Sequence, residues 1–139
     1  MIFYKNIIEL IPQRPPFLLI DELVSVDNQI ITCSFTVPHE HVLVECGKLI
    51  EAGLVENIAQ SAAAGNGYNA QKNGYSVPDG FIAGIKNLIV NYLPSANKKL
   101  ITKVFQLDNV MGYSLIKGEI HENENPVASC EMKIYCPNN

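Results

Sequence analysis

The feature that most constrains the fold is an apolar stretch from about Lys48 to Asn73, which has the composition of a buried helix. Its apolar residues are not confined to one stripe but recur around most of the helical circumference: Leu49, Ile50, Ala52, Leu54, Val55, Ile58, Ala59, Ala62 and Ala63. A helix that is apolar nearly all round must be enclosed by other elements rather than laid on a surface. Small residues within it, such as Gly53 and Gly65, would let neighbouring strands approach its backbone closely. The sequence therefore predicts a long helix wrapped by the rest of the chain.

Six other segments are rich in β-branched and aromatic residues and are separated by turn-forming residues, which is typical of strands. They are residues 17–27, 29–37, 81–93, 99–109, 112–121 and 126–136. A short helix is predicted over residues 4–11, where Pro12 stops it, and a loop over residues 38–47. We therefore predict a single α+β domain over residues 1–139, in which a curved antiparallel six-stranded sheet wraps one long central helix. Exposed sheet edges favour pairing through an edge strand, so we expect a homodimer or a multiple of dimers.

Composition and charge narrow the functional classes. The chain of 139 residues has a formal net charge of −4 and contains a single arginine, Arg14, so binding of nucleic acid is not expected. No apolar run approaches the ~20 residues that a membrane span needs, and no signal peptide is evident. The four cysteines form no C-x-x-C pair, so we predict free thiols, Cys46 included, and neither a metal site nor a cofactor. These features together predict a cytoplasmic protein.

One carboxylate interrupts the apolar helix. Glu56 lies in the middle of the run, and Gln60 follows one turn later. Buried acids are usually paired or functional. Glu56 is therefore either a structural carboxylate paired inside a dimer or a catalytic group.

Four segments, taken in order, resemble the β-hydroxyacyl-acyl-carrier-protein dehydratase family of the hotdog fold. "IPQRPPFLLIDEL" (11–23) is similar to the family's opening signature, with Gln13 where the family often has histidine, and "GLVENIAQSAAA" (53–64) to its helix signature. "FIAGIKNLIV" (81–90) resembles the strand after the helix, and "LIKGEIHENENPVASCEMKIY" (115–135) the closing hairpin. The likeness runs nearly end to end.

The resemblance implies a hotdog fold and a (3R)-hydroxyacyl-acyl-carrier-protein dehydratase, which acts on acyl thioesters in fatty acid or polyene-type biosynthesis. Its substrate would be an acyl group on acyl carrier protein or coenzyme A. Glu56 would occupy the position of the family's catalytic carboxylate and act as the acid that protonates the leaving hydroxyl. The acyl chain would lie in an apolar tunnel beside the helix, and the site would be shared across the dimer interface. The residues expected to bind substrate are Gln60, Gly53, Phe17, Val42 and Leu43.

The base is where the sequence departs from that family. The family's histidine lies in a Gly-His-Phe-Pro-Gly loop before the helix, and this chain has no such loop. By its spacing from Glu56, His41 is the candidate base, if residues 37–47 fold back towards Glu56 of the partner subunit. A divergent branch of dehydratase-like proteins associated with aryl-polyene pathways also lacks the loop histidine, and this chain resembles that branch.

Several alternatives stay open at the level of sequence. The chain could be a hotdog thioesterase in which Glu56 activates water, or a non-catalytic partner in a hetero-complex with an active dehydratase. Three lysines, Lys98, Lys99 and Lys103, form either a solvated face or a contact patch for acidic carrier protein or coenzyme A phosphates. Arg14 is expected to pair with Asp21 or Asp79.

Overall fold

The computed structural model describes residues 4–77 and 79–137, and it contains one long helix packed against a six-stranded antiparallel sheet. The helix α1 spans Glu51–Lys72. The strands in chain order are β1 (Glu22–Asp27), β2 (Ile30–Thr36), β3 (Val44–Glu45), β4 (Lys48–Leu49), β5 (Phe81–Val90), β6 (Lys99–Val110), β7 (Tyr113–Glu122) and β8 (Asn125–Tyr135). The large sheet has the order β1-β2-β6-β7-β8-β5, and β3 pairs with β4 in a separate hairpin. The predicted α+β architecture is confirmed, while residues 1–3, Pro78 and 138–139 of the predicted domain lie outside the described residues.

Small residues allow the helix and the sheet to approach closely, as their pattern predicts. The side chain of Ile31 in β2 fills the space that a Cβ on Gly65 would occupy, and Ile58 of α1 does the same at Gly118 of β7. At Gly67 the carbonyl oxygen of Leu10 occupies that space. Larger side chains at these positions would push α1 away from the strands and from the opening segment.

The helix begins three residues later than predicted, and the preceding loop is more ordered than expected. Lys48 and Leu49 pair with Val44 and Glu45 as a small hairpin, so they are extended rather than helical. The turn between these strands is formed by Cys46 and Gly47, which both have positive φ (52° and 74°). The hairpin positions the start of α1, since the backbone N–H of Ile50 donates to the carbonyl of Leu43 at 3.0 Å.

The opening segment also differs from prediction. The helix expected over residues 4–11 is reduced to one 3₁₀ turn, Ile7–Glu9, because Tyr4 is extended and exchanges two backbone hydrogen bonds with Leu23. The first strand begins at Glu22 rather than at residue 17. Residues 17–19 instead lie against α1, whose polar side chains bind their backbone groups. Within residues 4–77 and 79–137, the helices include none with the length and hydropathy of a membrane span.

Candidate functional site

A groove of about 500 Å³ lies beside α1 and carries the carboxylate that the sequence singles out. Glu56, Ala59, Ala63 and Asn66 form its helical wall. Their spacing of three or four residues places them on one face of the helix. The rest of the lining comes from the opening segment, from the approach to β5 and from the ends of β5 and β8: Pro12, Gln13, Asp79, Gly80, Phe81, Ile82, Ile134 and Cys136. An apolar groove with a few polar groups is the usual form of a ligand site.

Glu56 is half-buried on the wall of this groove rather than enclosed in the core. Its Oε2 accepts a hydrogen bond from Nε2 of Gln60 at 3.3 Å. A position on the groove wall explains why the helix tolerates a carboxylate, since the charged group does not have to be surrounded by apolar side chains. The geometry allows Glu56 to meet a ligand in the groove.

Gln60 is only 1% exposed and lies behind Glu56. Its Oε1 accepts a hydrogen bond from the backbone N–H of Leu19 at 2.8 Å, and its Nε2 also donates to the carbonyl of Phe17 at 2.8 Å. The amide thus fastens residues 17–19 to the helix and at the same time fixes the Glu56 carboxylate. The predicted role of Gln60 in substrate binding stays a prediction, because its amide is directed at the protein itself.

Asn57 is a buried polar residue that the sequence analysis did not single out. Its Nδ2 donates to the carbonyl of Leu19 at 2.7 Å, and its Oδ1 accepts from the hydroxyl of Thr102 in β6. It therefore connects the opening segment, the helix and the central sheet behind the groove. The feature of the sequence that could have indicated this role is the position of Asn57, a polar amide next to Glu56 in an otherwise apolar run.

His41, the candidate base, has both ring nitrogens engaged within its own chain. Its Nε2 lies 2.8 Å from the carbonyl oxygen of Leu18, and its Nδ1 accepts the backbone N–H of Leu43 at 3.0 Å. These partners require a proton on Nε2 and none on Nδ1, so the basic lone pair is already occupied. The structure brings His41 to the opening segment, where it also packs edge-on against Phe35.

The other predicted substrate contacts are spread over the surface around the helix start. Phe17 is 59% exposed, Val42 is exposed and Leu43 is half-buried. Gly53 is buried against Leu49 and Leu43, and its N–H donates to the carbonyl of Ile50 at 2.9 Å, so this N–H is not free for a ligand. These contacts stay predictions.

The predicted pairing of Arg14 with Asp21 or Asp79 is wrong for the described residues. Its Nη1 donates instead to the carbonyl oxygens of Ile11 and Gln13, at 2.7 and 2.9 Å. The proline-rich segment turns tightly enough to bring these carbonyls within reach of the side chain. Arg14 therefore fixes the backbone beside the groove.

The three lysines are not gathered at the groove. Lys99 and Lys103 alternate with the buried residues Leu100 and Thr102, so they lie on the outer face of β6, away from α1. Lys103 stands opposite Glu119 in β7, and Lys98 is exposed just before the strand. A carrier-protein contact through these lysines stays a prediction.

The cysteines are free, as predicted, and three of them are buried. Burial raises the pKa of the Cys33 thiol to about 12 and that of Cys130 to about 11. Burial also raises the pKa of Cys136, which lines the groove, so this thiol is a poor nucleophile near neutral pH. Within residues 4–77 and 79–137, no group of three or more His, Cys, Asp or Glu residues is arranged to hold a metal ion.

Solved structures show which fold this chain shares. It superimposes on a chain of the dehydratase heterocomplex ApeI:P from Xenorhabdus doucetiae with a TM-score of 0.88 at 18% identity, covering 98% of this chain and 93% of that one. The uncharacterized protein PH1136 from Pyrococcus horikoshii matches with a TM-score of 0.70 at 9% identity, over 100% and 97% of the two chains. A hypothetical thioesterase with coenzyme A from Streptococcus pneumoniae TIGR4 matches with a TM-score of 0.63 at 11% identity, over 83% and 84%. The predicted hotdog fold is thereby confirmed.

The sequence itself identifies the family. No curated protein sequence matches the chain significantly. The family model described as ApeP-like, ApeP dehydratase, matches residues 5–139, which is nearly the whole chain and includes Glu56, Gln60 and His41. The chain therefore belongs to the ApeP-like dehydratase family of hotdog proteins.

Proposed function

We propose that this chain supplies the acid half of a 3-hydroxyacyl thioester dehydratase site, in which Glu56 protonates the leaving hydroxyl. The observation that carries the proposal is the contrast between two side chains. Glu56 is held by Gln60 on the wall of a groove, whereas His41 is bound to the backbone of its own chain. This contrast supports Glu56 as the acid of the proposed site and a base supplied by another chain.

The chemistry requires both groups. A base removes the α-proton of the acyl thioester, and the electron pair of that C–H bond forms the new double bond between the α- and β-carbons. The β-carbon to oxygen bond breaks, and the oxygen takes a proton from Glu56 and leaves as water. Hydroxide is a poor leaving group, so an acid placed at the β-hydroxyl lowers the barrier directly. The helix wall beyond Glu56, formed by Ala59 and Ala63, leaves room for an acyl chain.

The free edge of the sheet indicates where a partner chain would bind. β5 pairs with β8 on one side only, and it is the least buried strand of the large sheet. Ile89 is 56% exposed on its outer face, and Ile85 is 43% exposed on the inner face, opposite Met132. Phe81, at the start of the strand, is 60% exposed. A long edge strand that is apolar on both faces is a template for pairing with another strand.

The edge strand β5, where a partner chain would bind, also forms part of the groove. Phe81 and Ile82 belong to β5 and also line the groove that contains Glu56. A chain that paired along β5 would lie beside the groove and could place a side chain in it. This supports a site shared between two subunits.

We favour a second hotdog dehydratase chain with its own histidine as the partner. The ApeI:P structure is a dehydratase heterocomplex, which supports such an arrangement by analogy. The second candidate is a homodimer in which His41 of the partner subunit is the base. It requires the ring to leave both the Leu18 carbonyl and the Leu43 N–H. In either assembly the substrate would be an acyl group on carrier protein or coenzyme A, and Lys98, Lys99 and Lys103 would contact the carrier.

The test compares this chain purified alone with the chain co-expressed with a hotdog dehydratase chain that has its own catalytic histidine. Each preparation is given a 3-hydroxyacyl pantetheine thioester, and formation of the enoyl thioester and release of free thiol are followed separately. We expect enoyl product from the co-purified complex and little from the single chain. Full dehydration by the single chain would favour the homodimer with His41 as base. Release of thiol without enoyl product would overturn the proposal in favour of a thioesterase.

A further inference from the structure

One buried polar atom on a residue that lines the groove has no partner. Among the described residues, the Oε1 of Gln13 is the one buried side-chain nitrogen or oxygen atom that makes no hydrogen bond. The other buried amides behave differently, since Asn57 and Gln60 have both their oxygen and their nitrogen satisfied. Leaving a buried acceptor unpaired is unfavourable, so such a group in a native protein calls for a specific explanation, such as a functional role or a bound water.

The position of Gln13 points to a ligand rather than to a defect in packing. Gln13 lines the same groove as Glu56, on the wall formed by the opening segment. Its backbone is fixed, because Pro12 precedes it and Arg14 donates a hydrogen bond to its carbonyl oxygen. The residue that carries the acceptor is therefore held beside the groove by a rigid segment, and a turn of its side chain suffices to present the oxygen to a ligand there.

We propose that Oε1 of Gln13 accepts a hydrogen bond from the 3-hydroxyl of the acyl group and positions that hydroxyl for Glu56. This inference rests on the proposed function. A hydroxyl offers one donor and two acceptor lone pairs. When its hydrogen is directed to Gln13, a lone pair is left to take the proton of Glu56. An amide oxygen is very weakly basic, so it holds the hydrogen without competing for the proton.

The proton balance is consistent with this role. The Glu56 carboxyl gives its proton to the hydroxyl oxygen as the carbon–oxygen bond breaks, and the water that leaves still donates to Gln13. Gln13 itself gains and loses nothing. It is a positioning residue that also favours 3-hydroxyacyl groups over acyl groups without the hydroxyl.

The experiment measures binding of two matched probes to the complex with its partner dehydratase. One probe is a 3-hydroxyacyl pantetheine in which an amide replaces the thioester, and the other is the saturated acyl pantetheine amide of equal length. Calorimetry gives the ratio of their dissociation constants for the wild type, Gln13→Met and the control Gln71→Met. Methionine is unbranched and close to glutamine in length but lacks the amide acceptor. Gln71 makes its hydrogen bond to the carbonyl of Glu9, outside the groove.

We expect wild type and Gln71→Met to bind the 3-hydroxy probe roughly 3- to 10-fold more tightly than the saturated probe, the effect of one hydrogen bond. In Gln13→Met that ratio should fall to about one through weaker binding of the hydroxy probe alone. The Tm of Gln13→Met should equal or exceed that of wild type, because an unpaired buried acceptor has been removed. Gln13→Leu serves as a second variant if the methionine variant folds poorly.

Three results would overturn the inference while leaving the proposed function intact, and two of them concern the variants. One is an unchanged preference in both Gln13 variants, and the other is an equal loss of affinity for the two probes, which would indicate a change in shape. Equal binding of the two probes by the wild type would also exclude the hydrogen bond. A wild-type complex that binds neither probe would overturn the proposed function, and this inference with it.

Discussion

Gln60 binds Glu56 and the opening segment with one amide. Its Nε2 donates to the Glu56 carboxylate at 3.3 Å, while its Oε1 accepts the N–H of Leu19 at 2.8 Å. The residue that orients the candidate acid thus also closes one wall of the groove. The Gln60 amide therefore contributes both to the stability of the fold and to the geometry of the site. Substitutions at Gln60 and at Glu56 measure the two contributions separately.

Glu56→Gln tests the acid directly. Glutamine keeps the shape and can still interact with Gln60, but it cannot deliver a proton to the leaving hydroxyl. We expect turnover of a 3-hydroxyacyl thioester by the complex to fall by ~10²-fold or more, with little change in Tm. Turnover equal to that of the wild type would show that the carboxylate is structural.

Gln60→Leu tests whether the Gln60 amide holds residues 17–19 against α1. The substitution leaves the buried N–H of Leu19 and the carbonyl of Phe17 without their partner. We expect the free energy of unfolding to fall by about 2–4 kcal/mol, measured by urea denaturation. The matched control is Gln71→Leu, which removes a solvent-exposed hydrogen bond and should cost about 0.5 kcal/mol or less. Similar losses for the two variants would contradict the role assigned to Gln60.

Ile85→Lys tests the free edge. Ile85 is 43% exposed on the inner face of β5, and a lysine there would place a charge in the proposed interface. We expect light scattering to show loss of the assembly, while circular dichroism of the chain is retained. Ile8→Lys is the control, since Ile8 is also 43% exposed but lies in the 3₁₀ turn Ile7–Glu9, outside β5. A wild-type chain that stays a folded monomer even with its partner would refute the shared site.

His41→Ala distinguishes a structural histidine from a base. The ring makes two hydrogen bonds to the backbone, at Leu18 and Leu43, so its loss should lower the Tm. We expect turnover by the hetero-complex to fall less than about tenfold, because the partner supplies the base. A loss of ~10²-fold with an unchanged Tm would instead identify His41 as the base.

The buried thiol of Cys33 predicts a loss of stability at alkaline pH. Burial raises its pKa to about 12 in the folded protein from an ordinary value of 9.0, so the folded state keeps its proton over a range in which the unfolded state loses it. The contribution of Cys33 is complete below pH 9.0 and declines as the pH rises towards about 12. Urea denaturation at a series of pH values should show a shallower decline in Cys33→Ala than in the wild type. Identical slopes would exclude this thiol as the cause.

The sequence by itself determined the long helix, the six strands of the large sheet and the location of the candidate acid. Strand composition and a helix apolar nearly all round require a sheet packed on an enclosed helix, and both are local patterns. Glu56 could be recognised because a carboxylate in an apolar run is conspicuous whatever the rest of the chain does. The resemblance of the segments around it indicated the dehydratase family.

Only the tertiary structure decided which polar groups are free. The bonds of Gln60 to residues 17–19 and the engagement of His41 by Leu18 span at least 23 positions, so spacing along the chain does not reveal them. The start of α1 at Glu51 also depends on the β3–β4 hairpin, which overrides the helical pattern of Lys48 and Leu49. The unpaired oxygen of Gln13 can be recognised only when the positions of all neighbouring hydrogen-bond donors in the folded chain are known. Hydrogen bonding in a folded protein is settled by which groups meet, and the meeting of distant segments is a property of the whole fold.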